Sequence, residues 1–95
     1  MNSEYSRTKT SYYRRLYVSY LIDSGTNTAQ GILDATGMPR RTLQDTLQAL
    51  TDLDIVCESR GGTKASSYRI TQWGAIDKKW IKDNLQHVKG VLQYP

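Results

Sequence analysis

The sequence predicts a mainly α fold with a small β-hairpin and a long C-terminal helix, and three observations predict it. Between Thr28 and Leu50, Ile32 and Leu33 form one apolar patch, Gly37-Met38-Pro39 interrupts it, and Leu43, Leu47 and Leu50 then repeat at helical spacing. That pattern reads as two short helices broken by a tight turn. Next, Ile55-Val56-Cys57-Glu58-Ser59 and Tyr68-Arg69-Ile70 flank Gly61-Gly62 and a run of small polar residues, which is the pattern of two strands joined by a loop. Finally, Trp73, Ile76, Trp80, Ile81, Leu85, Val88 and Leu92 keep a helical rhythm.

Ninety-five residues predict one domain, 1–95, with a modest core, because a chain of this size buries only about 60 to 65% of its unfolded surface. Thirteen Lys and Arg against nine Asp and Glu leave a net charge of +4, which suits a polyanionic partner without identifying one. A single cysteine, Cys57, excludes an intramolecular disulfide. No apolar run approaches the roughly 20 residues that span a membrane, and MNSEYSRTKT carries no secretory apolar stretch, so a cytoplasmic protein is expected. Seven Tyr, two Trp and no Phe favour half-buried positions, because buried Tyr and Trp need a partner for their polar atoms.

The first helix is expected over about 9–24, with Tyr13, Leu16, Tyr17, Tyr20 and Leu21 on one face and Arg14 and Arg15 off it. That tyrosine stripe fits core packing, a dimer surface or a small aromatic ligand pocket; the two arginines fit simple solvation. Asp23-Ser24-Gly25-Thr26-Asn27-Thr28 reads as a turn that ends in a cap for a second helix over about 28–36. Gly37 suits an abrupt helix end, and Pro39 lacks only a donor that the first turn of the third helix, over about 39–53, leaves unused. In the following strand Ile55 and Cys57 share one face, which makes Cys57 a small apolar residue rather than a nucleophile. Thr71 is expected to cap the last helix, over about 71–93.

At 100° per residue, Leu43, Leu47 and Leu50 point one way on the third helix while Arg41, Asp45 and Gln48 point the other, with Gln44 and Thr42 on the flanks. Such a face can be an ordinary solvated surface. Its Arg, Gln and Asp side chains also have the forked geometry that meets base edges in a DNA major groove, and the turn before it and hairpin after it favour that reading. The stretch ATGMPRRTLQDTLQALTDLDIV resembles the DNA-binding half of winged helix-turn-helix transcription regulators, and Ala35-Thr36-Gly37-Met38-Pro39-Arg40 is especially similar to IclR-type regulators. The resemblance implies a helix-turn-helix over about 28–53 and a wing over about 55–70. Two departures stand out: Asp54 replaces the usual glycine before the first wing strand, and 95 residues leave no room for the large effector-binding domain of IclR-type proteins.

The function expected is sequence-specific binding of double-stranded DNA by a small transcription regulator. Arg41, Gln44, Asp45 and Gln48 are the candidate base readers; Arg40, Thr42 and the wing cations Arg60, Lys64 and Arg69 are the candidate backbone contacts. Asp45 can either accept from a cytosine amine or hold Arg41. An alternative is a winged-helix module that binds protein in a larger assembly, for which a more acidic or apolar third helix is expected. An enzyme is the weakest reading, since paired carboxylates, a Ser/His/Asp set and metal-spaced ligands do not appear; no cofactor and no metal are expected.

A homodimer is expected on grounds of length. A helix over 71–93 extends roughly 34 Å, more than the approximately 30 Å width of a small domain, so its far end must leave the body or bend. Leu85, Val88 and Leu92 keep that end apolar, and pairing with the same helix and with Tyr13 and Tyr17 of a second copy would cover it. The competing outcome is a bend at Gly90 that folds the end back. The dimer would read an inverted repeat.

Overall fold

In the computed structural model, which describes residues 5–61 and 67–95, the chain runs α1 (Arg7–Asp23), α2 (Ala29–Thr36), α3 (Arg40–Ala49), a 3-10 turn (Leu50–Leu53), β1 (Val56–Arg60), β2 (Ser67–Gln72), α4 (Lys78–Asp83) and α5 (Leu85–Leu92). The first helix is the hub, because α2, α3, α4, α5 and β2 all pack on it. Its hydroxyl-capped start explains where it begins: Ser6 Oγ accepts from the Lys9 amide at 3.0 Å. Leu16, Tyr17, Val18, Leu21 and Ile22 then turn inward. Ser19, fully enclosed, donates its hydroxyl to the Arg15 carbonyl at 2.9 Å, so no polar atom is stranded there. Burial, followed by the neighbouring Tyr20 and Tyr94, pushes the Tyr17 phenol above its ordinary range.

The helix-turn-helix is closed by local chemistry. Thr28 Oγ1 accepts from the Gly31 amide at 3.0 Å to start α2, and Gly37 ends it with a φ of 76°, its amide reaching the Leu33 carbonyl at 2.8 Å. Thr36 Oγ1 donates to the Ile32 carbonyl at 2.8 Å and accepts from the Met38 amide at 3.2 Å, which stitches the turn to the helix before it. Ile32, Leu43, Leu50 and Ile55 are each 0 or 1% exposed, and each such side chain contributes about 1.5–3 kcal/mol on burial. Asp54 takes the left-handed conformation at φ 58°, as its position before the wing requires.

The hairpin is antiparallel, with Cys57 opposite Ile70, Glu58 opposite Arg69 and Arg60 opposite Ser67. Ile70 is buried and Cys57 half-buried, so that face looks to the core, while Val56 at 41% exposed looks out. A further rung, invisible in the sequence pattern, ties the hairpin to the turn before α2: Thr28 bridges Ser67, and the Tyr68 amide donates to the Asn27 carbonyl at 2.7 Å.

The C-terminal part departs from expectation. The third helix stops at Ala49 and continues only as the 3-10 turn. Thr71 caps nothing; it lies within β2, its hydroxyl facing the Val56 carbonyl at 3.5 Å. The strand wins because Val56 pairs with Gln72 and carries the ladder to that point. Gly74 then turns the chain at φ 59°, where a Cβ would lie 2.6 Å from the Leu53 carbonyl oxygen and 3.0 Å from that of Asp54. Asp77 takes the capping role, accepting from the Lys79 amide at 2.9 Å.

A single long C-terminal helix does not form. Asn84 breaks it, with φ −115° and its side-chain amide donating to the Trp80 carbonyl at 2.8 Å. The final helix packs on α1, where the Tyr17 and Tyr94 rings meet at 5.8 Å and Arg14 Nε donates to the Tyr94 hydroxyl at 3.3 Å. The bend therefore falls at Asn84, and Gly90 lies inside α5. Tyr17 at 3% and Val88 at 0% exposed belong to the chain's own core, with Tyr13, Leu85 and Leu92 packed against it, so the exposed apolar stripe that implied a partner is absent. Among the described residues, no helix is long and apolar enough to cross a membrane.

Candidate nucleic-acid interface

Leu43 and Thr46 are buried and fix how α3 is turned. Thr46 is satisfied locally, its hydroxyl donating to the Thr42 carbonyl at 2.7 Å. Arg40, Arg41, Gln44, Asp45 and Gln48 are consequently exposed, with Thr42 half-buried on the flank. Among the described residues, no side chain of these six makes a hydrogen bond or ion pair. Asp45 and Arg41 stand one turn apart without pairing, so the carboxylate does not hold the guanidinium in the free protein. Pro39 supplies no side-chain cap to α3, which leaves the first-turn amides beside Arg40 and Arg41 without a capping side chain. Six polar side chains thus line one helix with no internal bond to break before they meet a partner.

Two of the three wing cations fall elsewhere. Arg60 and Arg69 share the hairpin face opposite Cys57 and Ile70, and border a hollow with Asp23, Gly25 and Asn27 of the turn before α2. The hairpin packs on α1 through β2. Lys64 lies outside the described residues. Arg14 and Arg15, which fit simple solvation in the sequence, line a polar cleft with Thr42 and Asp45 of α3. A helical projection separates Ser11, Arg14 and Arg15 from Tyr12, Tyr13 and Leu16, but which of those sides meets α3 depends on packing.

The other side of α1 carries a small aromatic cleft bordered by Tyr12, Tyr13, Ile76 and Trp80. The Tyr13 ring meets Trp80 edge-on at 6.2 Å and His87 at 5.7 Å, and Trp80 remains 41% exposed.

No group of three or more His, Cys, Asp and Glu among the described residues is placed to hold a metal ion. Burial pushes the Cys57 thiol above its ordinary value of 9.0, outweighing the downward pull of a hydrogen bond with the Arg69 backbone. Since the thiolate is the reactive form, Cys57 should be alkylated by iodoacetamide at pH 7.5 at least several-fold more slowly in the folded protein than in denaturant; equal rates would refute its burial.

A helix-turn-helix packed under α1 and followed by a two-stranded hairpin defines the winged-helix class. The chain belongs to the winged helix-turn-helix family, whose model matches residues 7–92. A solved structure, that of a DUF2131 family protein from Shewanella amazonensis SB2B, is similar with a TM-score of 0.91 and 31% sequence identity, covering 99% of this chain and 94% of that chain. No curated protein matches the chain.

Proposed function

We propose that this protein is a sequence-specific double-stranded DNA-binding transcription regulator. The observation that carries the reading is the α3 face, whose side chains have no hydrogen bond or ion pair among the described residues, in a family whose fold suggests DNA binding. In this mechanism α3 enters the major groove, which is about 12 Å wide and admits one helix. Arg41, Gln44 and Gln48 read base edges, and Asp45, free of Arg41, accepts from a cytosine amine. Arg40 and Thr42, with the open amides of the α3 start, hold phosphates. The hairpin cations Arg60 and Arg69, with Lys64, add contacts to backbone or minor groove. The likeness of Ala35–Arg40 to IclR-type regulators supports the same reading. One domain, a cytoplasmic location, and the absence of catalysis, cofactor and metal complete the proposal.

The test is binding of the purified protein to random duplex DNA between about 50 and 200 mM salt, followed by selection of preferred sites. Affinity should fall steeply and linearly on logarithmic axes, as phosphate neutralisation requires. Protein that binds no duplex at low salt would sink the reading and favour a protein-interaction module.

The homodimer belongs to the proposal in a narrower form. Tyr17 and Val88 are occupied by the chain's own core, and we propose that of the expected contact Tyr13, Leu85 and Leu92 remain, with the exposed Trp80 beside Tyr13. Sedimentation at micromolar concentration should show a dimer that Trp80→Glu dissociates. A wild-type monomer of 10.8 kDa removes the contact and the inverted-repeat target with it.

A further inference from the structure

We propose that Arg14 and Arg15 of α1 form a second DNA-phosphate seat along one flank of the recognition helix, an inference that rests on the DNA reading above. A cleft of about 280 Å³ lies along the junction of α1 and α3, bordered by Ser11, Arg14 and Arg15 on one side and Thr42, Asp45 and Thr46 on the other. On α3, at 100° per residue, Arg41, Gln48 and Asp45 lie on the outward face, Asp45 toward the flank that carries Thr42, and Arg40 and Gln44 lie on the other flank. A helix lying in a major groove has one phosphate strand along each flank. The flank that carries Thr42 and Asp45 is the one facing α1, so the strand on that side passes over the cleft, where two guanidiniums wait.

The cleft is prepared for this role. Arg14 Nε donates to the Tyr94 hydroxyl at 3.3 Å, and the Tyr94 ring packs at a tilt against Tyr17, so the Arg14 stem is held while its two terminal nitrogens have no hydrogen bond or ion pair among the described residues. The Arg15 side chain has no hydrogen bond or ion pair among the described residues, nor has the Ser11 hydroxyl. Asp45 lines the same cleft without an ion pair to either arginine. Two cations against one carboxylate leave a single net positive charge, too little to retain a small free anion tightly. A DNA strand needs no such retention, because α3 in the groove brings it there.

The experiment compares the salt dependence of duplex binding for wild type, Arg15→Ala, Arg14→Ala and Tyr94→Phe, with thermal melting to verify folding. Tyr94→Phe removes the hydrogen bond that Arg14→Ala also removes but keeps the charge. Each arginine variant should lower the salt slope by about one unit and weaken all sequences alike, whereas Tyr94→Phe, which keeps both guanidiniums and only loosens Arg14, should lower the slope by less than Arg14→Ala. Ethylation of phosphates on the α1-side strand should interfere with wild type and cease to interfere at one position with Arg15→Ala. Unchanged slopes in variants of a wild type that does bind DNA would overturn this seat alone; a wild type that binds no duplex overturns the DNA reading and the seat together. Inorganic phosphate titrated at millimolar concentration should not bind. Saturable phosphate binding abolished by Arg15→Ala would assign the cleft to a free anion and overturn the proposal.

Discussion

Arg41→Ala is expected to weaken binding to the preferred duplex by about 1–3 kcal/mol, roughly 5- to 150-fold, and to flatten the preference at one base position. The size follows from geometry. Arg41 stands near the middle of the exposed α3 face, in the first turn, which is the end of a recognition helix that meets base edges. Its guanidinium has no hydrogen bond or ion pair among the described residues, so the free protein loses no internal contact on substitution and the deficit reads out binding directly. A bidentate contact to guanine carries more discrimination than an amide contact, so Arg41 should outrank Gln44 and Gln48. Site selection with the variant is the decisive measurement. If Arg41→Ala weakens every sequence equally and the selected site is unchanged, Arg41 is a phosphate contact and base readout moves to the glutamines.

What the sequence made legible is what depends on neighbours in the chain. Gly37, Pro39 and the Leu43-Leu47-Leu50 spacing define two helices and their turn through backbone and periodicity alone, and α3 presents the face that periodicity predicts. Alternation likewise put Ile55 and Cys57 inward and Val56 outward. The elements that depart from expectation turn on contacts that periodicity does not carry. Thr71 is a good cap and a good strand residue, and it becomes strand because β1 lies opposite. Asn84 interrupts an apolar rhythm that continues on both sides, so nothing in the spacing marks the break. The placement of Arg14 against Tyr94, eighty residues away in sequence, follows from the docking of α5 on α1 and has no local signal.

Val88→Asp is expected to have the largest effect on stability, about 3–5 kcal/mol, because it leaves an unpaired charge where the native residue is 0% exposed. That is a large share of the roughly 5–15 kcal/mol that holds a domain of this size together. The position separates two arrangements of the C-terminus. With α5 docked on its own α1, as the contacts between those helices and the tilted Tyr17–Tyr94 ring contact have it, the variant loses melting temperature by an amount that does not depend on protein concentration. With α5 docked on a second copy, the variant would instead run as a folded monomer of unchanged helicity. The pH dependence provides a second reading of the same burial. An enclosed carboxyl is pushed above its unfolded value of about 3.9, so the deficit should shrink as pH falls through the folded value and grow back as pH rises. Val88→Ala, which removes only methyl groups, should cost about 2 kcal/mol and keeps the comparison measurable if the aspartate variant does not fold. A folded, helical Val88→Asp monomer with a native melting temperature would overturn the docking of α5 on α1 and restore the paired helix as the dimer contact.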